Sequence, residues 1–595
     1  MVTRNCTRPT RRDRRLSAVG SVEYRYAGSL TVRLTLCDST LSVSVNPTGS
    51  SLSESAARIA VDLRRFSWIR RLAADYAHDF PALAPFFSGD PADRQDWADA
   101  IARAQAHPRR RGEIAAILAA QQQRRGAPVR AMEMARRLDD SRSVAIVTGQ
   151  QAGLFGGPLF TLLKALTTLK LAAQVEREHH VQAVPIFWVD AEDHDWDEVR
   201  SCTVLDEESE ARTVALPARG DGEPVPVSSQ RFDNTVTRIL AELEGILPQT
   251  EFRSPLLAQL REIYTPGARV VDGFAAWLER VLGAYGMVVF DCSDPAAKPF
   301  AADVFARELT TPGQTARLAA NAGQELVARG YHAQVVPADD SLALFRLDGE
   351  RRAIRQQNGR FLVGDTSYDP DTLREEATTR PGGFSPSVLL RPLVQDTLFP
   401  TVCYVAGPNE LAYLGQLREV YRHFGIPMPL MYPRASATLL TAAAMRFLTR
   451  YQLPLEALQA QDESALNELL ALQIPPSVEE SFSRAGAAIE VQMAAVIGAV
   501  PAIDPTLQGA ATSTLGRMQH DLQTLHAKMI QAAKRRDETL RRQFVHTRAL
   551  AFPHGHAQER TIAFVWFLNQ YGPALVDRLH EELPLDMGRH WVLTV

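Results

Sequence analysis

The run Val144–Thr148 is short, apolar and β-branched, and it stops at once in Gly149–Gly157, which is too rich in glycine to be helix. Pro158 suits a first helical turn. Leu159, Leu162, Leu163, Leu166 and Leu169 then mark one helical face. Buried strand, glycine loop, helix: that order limits what the chain can become, and parts of it recur. Val184–Val189, Met287–Phe290 and Thr401–Val405 are further apolar strands, each running into a polar or glycine-bearing loop. Apolar strands alternating with helices indicate an α/β fold, a Rossmann-like doubly wound parallel sheet. Ligands of such sheets bind beyond the carboxyl ends of the strands. Four loops are therefore the places to look.

The strands are unevenly spaced. Val189 to Met287 and Phe290 to Thr401 are far longer than an ordinary crossover. Two insertions account for this, at 201–265 and at 315–385, the second with a β-rich middle (Gln334–Val336, Leu342–Leu347, Phe361–Val363). The core then comprises 65–200, 266–314 and 386–455, its first part opening on amphipathic helices from Trp68 to Arg137 broken at Phe86–Ala92. Beyond it, Phe482, Gly486, Ile489, Met493, Val496 and Val500 alternate spacings of four and three. So do Leu515, Met518, Leu522, Leu525, Met529 and Ala532. With Pro501–Pro505 between them, these seams predict an antiparallel coiled-coil hairpin within 456–548. Its outer face carries Lys534, Arg535, Arg536, Asp537, Arg541 and Arg542. The last segment, 549–595, reads as a helix at Thr561–Leu579 and a strand at Trp591–Val595. Residues 1–64 read as a poorly structured extension. Their first 20 residues hold six arginines and one acid without an apolar stretch behind them. Val22–Val45 alternates enough for a hairpin. Nothing catalytic is expected before about residue 65.

Composition excludes several function classes. The net charge of −4 argues against a nucleic-acid binder with a broad basic surface. No run of apolar residues is long enough to suggest a membrane span. The five cysteines form no CxxC pair, so reduced thiols in a cytoplasm are expected, with neither a disulfide frame nor a structural metal.

The first strand end, Gly149–Gly157, is a cradle for phosphate or carboxylate: Gly149, Gly153 and Gly157 let backbone approach a ligand, and a helix start supplies N–H groups. Gln150 and Gln151 suit ligand hydrogen bonds, and Lys164 lies two turns into the helix. The second, Asp190–Glu198, packs Asp190, Glu192, Asp193, His194, Asp195, Asp197 and Glu198 behind a buried strand. Two chemistries fit. Asp193 and Asp195 hold Mg²⁺ brought by a nucleotide while His194 bonds a phosphate oxygen, or His194 and its carboxylates are a general acid/base set. The third is Gly407, Asn409, Glu410 and Tyr413, with Asn409 as an N-cap; Arg391 and Gln395 lie upstream, one helical turn apart. The fourth, Asp291–Asp294, is polar but nondescript. His554 and His556 look like a metal clip but read better as a cap for the tail helix.

At these residues the chain resembles the cysteine ligase family of bacillithiol biosynthesis, BshC. The resemblance rests on TGQQAGLFGGPLFTLLKA at 148–165, PIFWVDAEDHDWDEV at 185–199 and FSPSVLLRPLVQDTLFPTVCYVAGPNELAYLGQL at 384–417, with further blocks at 423–440 and 556–573. It extends from about Phe66 to Val595. Departures are small: Gly156 where threonine is expected, Ser387 where asparagine is usual, and Asp190-Ala191 where small residues are frequent. The family implies a Rossmann-like core similar to nucleotidyltransferases, two connecting-peptide insertions, and a C-terminal coiled coil that makes a homodimer. It also implies a ligase that adds cysteine to the amine of glucosaminyl-malate. A free carboxylate forms no amide in water unactivated, so ATP with Mg²⁺ is the expected activator. The rivals are a nucleotidyltransferase with another acceptor and a non-catalytic coiled-coil scaffold.

Overall fold

The computed structural model describes residues 58–595 except 220–224, 339, 472–475 and 537, together with the backbone of three strands nearer the N-terminus. Side chains 533–536 also lie outside the described set, and with residue 537 they hold four of the six charges expected on the hairpin's outer face.

Five strands form the central sheet: β1 Val144–Gln150, β2 Ala183–Val189, β3 Val288–Asp291, β4 Thr401–Ala406 and β5 Leu430–Pro433, in the order β5-β4-β1-β2-β3. Every neighbouring pair is parallel. Both faces are covered, which explains the unbroken apolar runs. Val144 and Ile146 pack on the helix Arg94–Ala106 through Trp97 and Ile101, while Ala145 and Val147 face the larger core cluster. The chain runs outward from β1 to β3, then returns to the other side of β1. The order therefore reverses between β1 and β4, where a doubly wound sheet opens its crevice.

The glycine loop after β1 leads through Pro158 into helix α1, Leu159–His179. Gly156 is required there. Its φ is +99°, and an added Cβ would lie 2.4 Å from Phe564 Cζ. Phe564 in turn stacks on Trp277. The departure from threonine at this position thus has a packing reason.

The stretch 201–265 folds as a hairpin, Ser201–Leu205 with Ala211–Ala215, followed by helices Thr235–Ile246 and Arg253–Ile263. The stretch 315–385 carries the strands Ser341–Leu347, Arg351–Gln357, Arg360–Val363 and Thr366–Tyr368, and Phe384–Pro386 completes their antiparallel sheet. Gln334–Val336 is not a strand. Gln416 accepts from the N–H groups of Gln334 and Val335 and donates to the carbonyl of Val335, replacing ladder partners.

Pro476–Ala499 and Gln508–Arg536 form the expected hairpin. Within Pro476–Ala502 an 18-residue window has a mean hydropathy of 1.5, long and apolar enough by composition to cross a membrane; Glu479, Glu480 and Arg484 stand in the first nine residues of the segment and Glu490 further along it. The tail helix is not continuous. It breaks into Gln558–Thr561, Phe564–Tyr571 and Ala574–Glu582, with Gly572 at φ +70° before Pro573. The strand Arg589–Thr594 lies parallel to Ser436–Leu440 and antiparallel to Arg58–Asp62. Arg58–Asp62 is thus a strand inside the stretch expected to be poorly structured. Further upstream Gly20–Tyr26, Leu30–Cys37 and Thr40–Pro47 pair antiparallel, one strand more than a hairpin.

Candidate active site

A cavity of about 600 Å³ opens at the β1/β4 switch point. One wall is built from buried and half-buried groups that satisfy each other. Lys164, only 2% exposed, reaches back from α1 to the carbonyl of Gly149 at 2.8 Å and to Glu410 Oε2 at 2.5 Å. Glu410 stands at the third position of α3, Pro408–Leu414, and its Oε2 also accepts the N–H of Gly407 at 2.6 Å. Tyr404, in β4, donates to Glu410 Oε1 at 2.9 Å. Burial pushes the Glu410 carboxyl up, but the Lys164 ammonium outweighs it and leaves the group below its ordinary range. Arg391 opens helix α2, Arg391–Leu398, donates to Tyr413 Oη at 3.0 Å and lies 3.6 Å from Asp190 Oδ2. Burial pushes the Asp190 carboxyl up to about 6 against the pull of Arg391.

The facing wall is the acid–histidine loop after β2. Gln151 ties it to the glycine loop, donating to Asp193 Oδ2 at 3.0 Å and to Glu198 Oε2 at 2.7 Å. Backbone N–H groups of Val227 and Ser228 bond the carbonyls of Asp193 and Ala191. His194, its side chain 42% exposed, has Nδ1 at 3.0 Å from Nη1 of Arg351.

The cavity is thus lined by Gly149, Gln150, Gln151, Lys164, Asp190, Asp193, His194, Arg391, Gly407, Asn409, Glu410 and Tyr413, all expected from sequence. Gly153 and Gly157 line an adjoining cavity of about 510 Å³ that shares Gln150, Gln151, Phe160, Glu198 and Arg560 with the first. Three more of the expected residues stand outside the cavity lining. Glu192 is buried and paired with Lys298, away from the cavity. Asp195 caps the short helix Trp196–Val199, its Oδ1 accepting from the Glu198 N–H at 3.1 Å. Gln395 points its amide at Asp396 within the core. Two caps also differ. Gly407, not Asn409, is the N-cap of α3, and Ala557 precedes the tail helix, so His554 and His556 cap nothing there. His556 instead lines the adjoining cavity.

Sequence reasoning missed Arg351, Tyr404, Arg434 and Arg560. Arg434 is held by Glu559, from the last segment of the chain, through two hydrogen bonds. The one available signal was Tyr404, a polar tip near the end of a largely apolar strand.

Among the described residues no group of three or more His, Cys, Asp and Glu is placed to hold an ion. Asp193 and Asp195 flank His194 in the loop, and each accepts a backbone N–H through Oδ1. Mg²⁺ commonly binds through one or two carboxylates, with phosphates and waters as its other ligands, and that donor set fits an ion carried in by a nucleotide.

Comparison with known proteins agrees with this architecture. Residues 59–435 match the model of the BshC N-terminal Rossmann-like domain of bacillithiol biosynthesis, and residues 437–595 match its C-terminal coiled-coil domain. Relatives named "Putative cysteine ligase BshC" include one from Salinibacter ruber, 33% identical over 88% of this chain and 96% of the relative. Another, from Koribacter versatilis, is 33% identical over 86% and 94%. The two models together cover nearly all of 59–595, and the chain belongs to the BshC family of bacillithiol biosynthesis.

Proposed function

We propose that this ligase joins the carboxyl of cysteine to the amine of glucosaminyl-malate, the last step of bacillithiol assembly. One observation carries the reading. A single cavity brings guanidiniums (Arg351, Arg391, Arg434, Arg560) together with carboxylates (Asp190, Asp193, Glu198). Amide formation from two charged substrates needs both. Guanidiniums hold carboxylates or phosphates, and carboxylates orient an ammonium and receive its protons.

ATP with Mg²⁺ supplies activation of the cysteine carboxylate as an acyl-phosphate or acyl-adenylate. The glycine loop and the amino end of α1 hold anionic oxygens, with Asp193 as the protein's ligand to the ion. His194 donates a hydrogen bond where negative charge develops. Arg391 and Arg560 receive the malate carboxylates; Arg560 has no carboxylate within ion-pair distance among the described residues. The chain works in the cytoplasm as a homodimer through its helical hairpin. Leu525 is 52% exposed and Met518 39%, so part of the apolar seam is left for a second copy.

The test is direct. Purified chain is incubated with cysteine, glucosaminyl-malate, Mg²⁺ and each nucleoside triphosphate, and products are followed by mass spectrometry. The amide should appear with stoichiometric nucleotide cleavage. No product with any nucleotide removes the reading, and pyrophosphate release with a different acceptor would favour a nucleotidyltransferase.

A further inference from the structure

The inserted antiparallel sheet contributes a side chain to the site. Arg351 begins the strand Arg351–Gln357 and is buried, with 8% exposure. Its guanidinium is fixed at four points. Nη2 donates to the carbonyl of Pro386 at 2.8 Å, Nε to Ser385 Oγ at 3.2 Å, the plane lies 3.8 Å from the Phe345 ring centroid, and Nη1 meets His194 Nδ1 at 3.0 Å. No carboxylate pairs with it within ion-pair distance among the described residues.

A guanidinium has N–H donors and no lone pair to offer. The imidazole nitrogen that faces it must therefore be the acceptor. We propose that Arg351 is a positioning residue that holds His194 with Nδ1 bare and the proton on Nε2, so that His194 meets substrate as a hydrogen-bond donor and not as a base. The one competing group is Asp193, which would favour a proton on Nδ1. Its Oδ1 lies 3.6 Å from Nδ1, beyond hydrogen-bond reach, and already accepts the backbone N–H of His194 at 2.7 Å. Its Oδ2 takes Gln151 at 3.0 Å.

The assignment decides between the two chemistries that the sequence left open for His194. A neutral Nε2–H suits a developing oxyanion or a phosphate oxygen. General-base work would need a bare Nε2. The inference rests on the ligase reading for its catalytic meaning, but not for the tautomer itself.

The experiment is nitrogen NMR of the full chain labelled with ¹⁵N-histidine at pH 8, with His194 assigned by its disappearance in His194→Gln. The expected spectrum has Nδ1 as the unprotonated and Nε2 as the protonated nitrogen. Arg351→Lys, another pure donor, should keep that pattern. Arg351→Gln, whose amide oxygen can accept, should lose it and form a mixture of tautomers. Ligation kcat should fall about a hundredfold in Arg351→Gln and be partly restored in Arg351→Lys. A wild-type His194 protonated on Nδ1, or an unchanged tautomer in Arg351→Gln, overturns the proposal, and the wild-type measurement stands even if a variant misfolds. Absence of ligation with the expected tautomer present would count against the function and not against this assignment.

Discussion

The two walls of the crevice are made of similar residue types and differ in how those residues are held. On the β1/β4 side, Lys164, Tyr404 and Tyr413 are buried and all bonded to Glu410, whose carboxylate is half-buried. On the β2 side, His194 and Asp193 are partly exposed, and neighbours tether them without sealing them. The first wall is a frame and the second a working surface. Charge in a loop says little about role until burial and partnership are known.

The sharpest way to break this contrast is Lys164→Met. It strands a half-buried carboxylate, and a loss of about 2–3 kcal/mol is expected in denaturant unfolding, with much of it recovered in Lys164→Met/Glu410→Gln. His194→Ala should show the opposite pattern. Its stability should stay within about 0.5 kcal/mol of the parent, while ligation falls about a hundredfold or more. Equal loss of stability in the two variants would erase the distinction.

Asp190 sits between the walls and tests where the boundary runs. With its carboxyl pushed up to about 6 from 3.8, the folded state binds the proton more tightly than the unfolded chain. Its contribution to stability is therefore full below about pH 4 and lost as pH rises through 6. Asp190→Asn should be more stable than the parent at pH 8 by about 1–2 kcal/mol, scaled down because the side chain keeps 29% exposure, and no more stable at pH 4. Calorimetry across that range measures it. The smallest effect belongs to Asp195→Ala. Loss of an N-cap should cost about 1 kcal/mol, and the Mg²⁺ dependence of ligation should not move. A changed Mg²⁺ dependence would return Asp195 to the metal site.

Much of this was legible in the sequence, because strand, loop and helix are local patterns. Four of the five sheet strands and the loops that line the crevice follow from periodicity and glycine placement. What escaped notice is nonlocal. Arg351 is 157 positions from His194 and meets it only because the inserted sheet docks on the crevice. Glu559 reaches Arg434 across 125 positions. Glu192 and Asp195 looked equivalent to Asp193 in an acidic run, but one turns inward to Lys298 and the other caps a helix. Side-chain direction in an irregular loop has no period to read. Gln395 failed for a related reason: one turn after Arg391, it lies on a helix buried on both sides.

The strand Arg589–Thr594 has a consequence for the timing of synthesis. It is inserted between Ser436–Leu440 and Arg58–Asp62, so the first strand of this sheet to leave the ribosome must wait for the last. At about 5–20 residues per second, the interval is roughly half a minute to two minutes. Throughout it Arg58–Asp62 has an unpaired edge, open to chaperones or to a neighbouring nascent chain. This sheet closes only when translation has passed Thr594.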